Sequence, residues 1–183
     1  MRALRRGPRV HIRRLVSEDE EEFLRRVAES RDLHRPWSYP AATPADFRRM
    51  VGPGEHGDDQ AVRLVVRRNE DGAIVGYFGL GEIVRGHFAN AYLGYHAFVP
   101  FDRQGYMREG LDLVLRYAFG ELRLHRLQAA IQPENERSIR LVRAGGFRRE
   151  GLARRYLKIG GRWRDHELWA ITVEDVRAAR RRT

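Results

Sequence analysis

The 183-residue chain carries 35 Lys+Arg against 25 Asp+Glu, a formal net charge of +10, with 42% hydrophobic and 33% charged residues. A chain of this length and composition buries roughly 70% of its unfolded surface as one α/β domain, which excludes a disordered or membrane-spanning class. The absence of cysteine excludes a disulfide framework, a thiolate zinc site and a cysteine nucleophile.

In chain order, residues 1–9 hold four Arg and no acid, and residues 177–183 hold another four and no acid. The 27 basic and 25 acidic residues left over 10–176 nearly balance, so the expected organisation is one domain over 10–176 between two basic tails. Arg2, Arg5 and Arg6 precede no apolar run, so no secretory signal is expected and a cytoplasmic setting is. The basic residues are 34 Arg and the single Lys158, a difference that matters only at planar, bidentate sites.

Alternation over Val10 to Leu15 predicts an opening strand. Ser17-Glu18-Asp19-Glu20 has capping-box spacing, and the acids up to Glu22 sit where a helix N-terminus stabilises carboxylates. Phe23, Leu24, Val27 and Ala28 then form a helical stripe ending near Ser30. His34-Arg35-Pro36-Trp37 reads as a connector, and Thr43-Pro44-Ala45-Asp46 starts another helix. Residues 52–59 read as a mobile Gly- and acid-rich loop.

Strands follow over Ala61–Arg68 and Ala73–Glu82, joined at Asp71-Gly72, a strong hairpin signal. The Ile74–Gly81 apolar stretch falls far short of the ~20 residues that span a bilayer. Ala91–Val99 is a strand stopped by Pro100, and Tyr106–Phe119 is a central helix with Leu111, Val114, Leu115 and Ala118 facing the core. Leu124–Gln132 is a buried strand, Asn135–Ala144 a short helix stopped by Gly145-Gly146. Phe147–Ile159 and Trp163–Thr172 are strands joined across Gly160-Gly161, and Thr172 opens a last helix.

The informative piece is Asp102-Arg103-Gln104-Gly105-Tyr106 between strand and central helix. Backbone N–H groups at a helix N-terminus opened by a glycine turn form a phosphate site. An ordinary tight turn has the same pattern. The multiple glycines of a dinucleotide fingerprint are missing, as is the Gly-Lys-Ser/Thr of a P-loop. After the next strand come Asn135-Glu136-Arg137-Ser138 and Ala144-Gly145-Gly146-Phe147.

Together these elements resemble the acetyl-CoA-dependent GNAT superfamily of N-acetyltransferases. Glu82 to Phe88, Tyr92-Leu93-Gly94-Tyr95 and Gly161 to His166 are similar to the ribosomal-protein-alanine N-acetyltransferases within it. The resemblance covers about residues 9–172 and implies a mixed, mostly antiparallel twisted sheet of six to seven strands, splayed in the middle, with helices on both faces. It implies that acetyl-CoA binds along Phe98 and Val99, with its pyrophosphate on Arg103, Gln104, Gly105, Tyr106 and Met107, and its pantetheine and thioester beside Asn135 and Ser138. The family's turn usually opens with Gln or Arg, so Asp102 departs from the pattern; Arg103 beside it can neutralise that carboxylate.

Acetyl transfer to an amine requires a neutral nucleophile, stabilisation of the thioester oxygen and a proton for the leaving thiol. The resemblance makes Ser138 the first candidate for that proton, with Tyr106 and Tyr156 behind it. Glu82 is the favoured base, with Asp165, His166 and His96 as alternatives. Trp37, Arg85, Phe88 and Asp165 are expected around the acceptor. The seven histidines lack metal-ligand pairings, so no metal is expected.

Three functions are weighed. The first is transfer of acetyl from acetyl-CoA to the N-terminal α-amine of a protein, a ribosomal protein in the closest analogy, with the Arg-rich tails as optional rRNA contacts. The second acetylates a small amine: a polyamine, amino sugar or antibiotic. The third is a non-catalytic RNA or ribosome-binding module, for which no signature stands in the core. No membrane partner is expected, and both a monomer and a homodimer fit the sequence.

Overall fold

The computed structural model describes residues 2–52 and 60–180 of the chain, with side chains to Ala178; the loop expected over 52–59 lies outside the described residues but for Gly52, as does the end of the C-terminal tail. The first half comprises β1 (Arg5–Arg6), β2 (Val10–Arg14), α1 (Glu20–Glu29), α2 (Arg31–His34), α3 (Pro44–Val51), β3 (Val62–Arg68), β4 (Ile74–Val84) and β5 (Asn90–Ala97). The second half comprises α4 (Tyr106–Gly120), β6 (Arg126–Ile131), α5 (Glu136–Ala144), β7 (Arg148–Ile159), β8 (Arg162–Thr172) and α6 (Val173–Arg180). The strands form one sheet of eight in the order β1-β2-β3-β4-β5-β6-β8-β7. None of the described helices is long and apolar enough to cross a membrane.

Every pairing is antiparallel except β5–β6, where α4 supplies the crossover that parallel strands require. That parallel ladder is short. It runs from Asn90↔Arg126 to Tyr92↔Gln128 and stops, while β5 stays paired with β4 as far as Ala97 and β6 with β8 as far as Ile131. The sheet therefore opens between β5 and β6.

Strand periodicity sends side chains to two cores. Leu64, Val66, Phe78, Leu80, Leu93, Leu127 and Ile171 pack under α4 and α5, where Leu111, Val114, Leu115 and Ala118 are buried as the helical stripe predicts. Val65, Ile74, Tyr77 and Phe98 face α1 and α3, with the Phe23 ring 5.4–5.8 Å from those of Phe47, Tyr77 and Phe98.

The structure differs from the sequence reading in five places. The sheet has eight strands because part of the expected N-terminal tail folds: Arg5–Arg6 pair with β2. Arg5 pairs with Glu121 at 2.5 Å, Arg6 donates to Asn69 at 2.6 Å, and Arg9 binds Glu109. Three of the four tail arginines are thus engaged inside the molecule. At the other end, α6 carries the helix through Arg180, into the expected C-terminal tail.

The Ser17/Glu20 capping box does not form. Ser17–Asp19 is a single 3-10 turn whose Asp19 carboxylate accepts the Val16 N–H at 3.1 Å. Asp19 is held there by a bidentate pair with Arg13 (2.5 and 2.7 Å) and by Arg67 at 3.2 Å. The connector contains the extra helix α2, and β5 ends at Ala97 because the Phe98 N–H bonds Val75 O at 3.2 Å while its ring enters the second core.

Candidate active site

β5 runs along the opening of the sheet and hands the chain to α4 through residues 98–105. Two of those residues take left-handed backbone: Arg103 at φ +59° and Gly105, the residue preceding the helix, at φ +84°. Glycine adopts that conformation freely, and a Cβ there would meet the Arg9 guanidinium at 3.1 Å. The first i→i−4 bond of α4 is Glu109 N–H to Gly105 O at 3.1 Å, so the N–H groups of the preceding turn have no intrahelical acceptor. They point where an anion can bind.

The turn is braced from the N-terminal arm. Arg9 Nη1 donates to Gln104 O at 3.0 Å, Arg9 Nε donates to Glu109, and the backbone N–H groups of Arg9 and Val10 reach the same carboxylate at 2.8 and 3.1 Å. The Gln104 amide donates to Pro100 O at 2.7 Å, closing the turn on itself. Asp102 lies 3.7 Å from Arg103, as its neutralisation requires.

Two cavities meet at the opening. A groove of about 770 Å³ runs from the turn along α5, lined by Arg103, Tyr106, Met107, Arg137 and Arg140 among others. A second cavity of about 450 Å³ lies on the α1/α3 side of β3, β4 and β5. Trp37, Ser38, Tyr95, His96, Asn135 and Ser138 line both. The floor of the second cavity is nearly bare backbone, because Gly79 and Gly94 are cross-strand partners and Gly81 follows.

At the junction the Tyr95 and Ser138 hydroxyls are 2.5 Å apart. Asn135 accepts the Ser138 N–H at 3.2 Å and so caps α5, which leaves the Ser138 hydroxyl free to face Tyr95. Burial pushes the Tyr95 phenol well above its ordinary value, so it holds its proton. Burial, with the His34 ring 5.2 Å away, pulls His96 down to about 3. His34 is also lowered by burial; its Nε2–H donates to Ala97 O at 2.8 Å.

His166, 3% exposed, lines the second cavity. Its Nδ1–H donates to Arg164 O at 3.0 Å, which leaves the Nε2 lone pair unprotonated, and burial lowers its pKa.

A family model described as an acetyltransferase (GNAT) domain matches residues 9–148. The chain belongs to the GNAT acetyltransferase family. It is 32% identical over 175 residues to the [Ribosomal protein uS5]-alanine N-acetyltransferase of Escherichia coli, covering 91% of this chain and 89% of that one. RimJ of Mycobacterium smegmatis, solved with CoA-disulfide, superposes with a TM-score of 0.81 at 27% identity, over 96% and 94% of the two chains. Spermidine N-acetyltransferase of Vibrio cholerae shares the fold, with a TM-score of 0.77 at 20% identity over 91% and 96%.

The groove suits the acetyl-CoA that GNAT enzymes use. It combines unpaired helix-start N–H groups with Arg103, Arg108, Arg137 and Arg140 against the single acid Asp102, matching a ligand with anionic phosphates at one end. Of the residues expected to hold it, Arg103, Gly105, Tyr106, Met107, Asn135 and Ser138 line the groove. Gln104 contributes through its place in the turn. Phe98 and Val99 do not line it: Phe98 is fully buried in the second core, and the Val99 N–H bonds the Ser30 hydroxyl at 3.0 Å.

Of the residues expected around the acceptor, Trp37 lines both cavities, and its carbonyl accepts a hydrogen bond from Gln132. The other expected neighbours are elsewhere. Glu82 is an exposed residue at a bulge of β4 with φ +50° and lines neither cavity. Arg85 donates to Leu122 O at 2.7 Å, and Phe88 is 55% exposed, both in the β4–β5 turn beside the paired end of β5. Asp165 accepts the Arg155 N–H at 2.8 Å on the β7–β8 hairpin. Tyr156 bonds Tyr92 at 3.0 Å and is pushed up to about 12, chiefly by that hydrogen bond. Tyr95, Ser38 and Arg63 are the site residues the sequence reading missed. A tyrosine two residues before the end of β5 was the available signal, since it alternates onto the opened face.

Proposed function

We propose that this GNAT enzyme transfers acetyl from acetyl-CoA to the α-amine of a protein N-terminus, with a ribosomal protein as acceptor. The observation that carries this reading is the lining of the second cavity. Among the described residues it contains no carboxylate, and its one charged group is Arg63. A polyamine presents several ammonium groups, and a site for it without carboxylates would repel it. A peptide N-terminus needs one neutral amine and partners for amide groups, which Gln132, Tyr92 and the bare strand edge of β5 supply. Similarity to the uS5-alanine enzyme supports the same acceptor class.

In this reaction His166 Nε2 receives the proton released as the amine nitrogen bonds the acetyl carbon. An α-amine with an ordinary pKa near 7.7–8.0 is already substantially neutral at physiological pH, so a neutral imidazole suffices as base. As the carbon–sulfur bond breaks, Ser138 gives its hydroxyl proton to the sulfur. Tyr95 donates to Ser138 Oγ and keeps the serine hydrogen aimed outward. One proton leaves the amine and one reaches the thiol; the cycle closes when His166 releases its proton to solvent and Ser138 regains one from solvent in the open groove.

The test compares acceptors side by side. An Ala-starting uS5-like peptide, spermidine and an aminoglycoside are incubated separately with enzyme and acetyl-CoA, and products are weighed by mass spectrometry. Acetylation of the peptide α-amine is the expected result. Turnover confined to the small amines would overturn the reading.

A further inference from the structure

Arg63 is the one charged group among the described residues that line the second cavity. Most other arginines at the sheet face carboxylates: Arg13 and Arg67 share Asp19, Arg68 takes Asp71, and Arg149 takes Glu167. Arg63 lies half-buried in the acceptor cavity, and among the described residues no carboxylate pairs with it. Its neighbour in the cavity is the Tyr77 hydroxyl, which has no hydrogen-bond partner there and sits 2.8 Å from where a Gly79 Cβ would stand. Burial raises Tyr77 to about 12, so its O–H remains a donor.

Geometry links these donors to the reacting centre. Arg63, Gly79 and Gly94 are successive partners across β3, β4 and β5. Two strand spacings separate Arg63 from Gly94, about 10 Å between Cα atoms. No side chain projects from the two glycines, and Tyr95 follows Gly94 directly. The Tyr77 hydroxyl lies over Gly79, so Arg63 and Tyr77 together form the wall of the cavity that leads past Gly94 to the opening of the sheet.

We propose that Arg63 and the Tyr77 hydroxyl bind an anionic group of the acceptor, so that the enzyme selects α-amines with a carboxylate in the first residues of the chain. This rests on the α-amine reading above. A half-buried cation beside a neutral donor favours a carboxylate over an amide and disfavours an ammonium, because an acceptor charge of the same sign would leave two cations facing each other.

The experiment compares kcat/KM for three peptides that differ at one position: Ala-Glu-, Ala-Gln- and Ala-Lys-starting, with free glutamate as a fourth acceptor. Wild-type enzyme is expected to prefer Ala-Glu over Ala-Lys by on the order of tenfold or more through KM. Arg63→Gln is expected to erase the ranking, Arg63→Lys to keep part of it, and Tyr77→Phe, which preserves the ring, to weaken it. Free glutamate turned over better than Ala-Glu would assign the anion site to a small amino acid and overturn the peptide form of the proposal. Equal kcat/KM for the three peptides, or a ranking that survives Arg63→Gln, overturns it entirely. Acetylation of all peptides without regard to charge leaves the α-amine reading standing while this inference falls; acetylation of none removes the α-amine reading itself.

Discussion

The Tyr95–Ser138 pair makes a quantitative claim: tyrosine acts only through serine. In the proposed reaction Ser138→Ala removes the proton donor to the leaving sulfur, and general acid catalysis of this kind contributes roughly 10²–10⁴-fold, or about 3–5 kcal/mol of transition-state stabilisation. Tyr95→Phe keeps the ring, which tilts against Phe78 at 5.7 Å, and removes only the hydroxyl 2.5 Å from Ser138. One such hydrogen bond is worth about 0.5–1.5 kcal/mol, a loss of roughly 2- to 13-fold in kcat. The double variant is expected to match Ser138→Ala alone, since a hydroxyl that orients a serine does nothing once the serine is gone. Turnover is followed by CoA thiol release with a thiol-reactive dye; the chain contains no cysteine, so every thiol detected is product. Multiplicative losses in the double variant would refute the relay, and so would a Ser138→Ala enzyme within threefold of wild type.

Gly94→Val places a side chain where nothing lies within 4 Å, at the floor of the proposed acceptor cavity and outside the lining of the groove proposed for acetyl-CoA. Acceptor KM is expected to rise about tenfold or more with acetyl-CoA affinity by calorimetry unchanged; an unaltered KM would place the acceptor elsewhere. Asp19→Ala strips the carboxylate from Arg13, whose side chain is only 8% exposed, and leaving a buried charge unpaired costs about 3–5 kcal/mol. In a chain of this size that lowers Tm by on the order of 10 °C, read by calorimetry. His34 and His96 are lowered by burial, so the folded state binds fewer protons than the unfolded one and stability falls as pH drops below about 6.5, the unfolded value. With His96 at about 3, it alone removes roughly 2 kcal/mol by pH 5; urea midpoints at pH 7 and 5 check this, and His96→Gln is expected to flatten the difference.

Local chemistry was enough to read most elements. The hydrophobic stripes of α1 and α4, the Asp71-Gly72 hairpin and the Asn135 cap are short-range features, decided within a turn or two of chain, and they stand where the residues predict. The turn before α4 and the Asn135–Ser138 pair were legible for the same reason: each is one helix start. What sequence could not supply was which distant segments share a cavity. Glu82 and Arg85 belong to a family-like stretch in sequence, yet a bulge and the strand direction carry them to the paired end of β5, away from the opening. Tyr95 and Ser138 are 43 residues apart and meet because β5 and β6 part after Tyr92.

Charge shows the same division. Counting residues along the chain is enough to find the excess of +10 and its concentration at the ends, because counting needs no coordinates. Where each arginine is used depends on contacts between segments far apart in the chain. Arg9, read as part of a tail, reaches 100 residues ahead to brace the turn at α4, while Arg63, unremarkable in its strand, is the one charged group among the described residues lining the second cavity. An ion pair is a property of two positions in space, and only the tertiary structure brings the second one near.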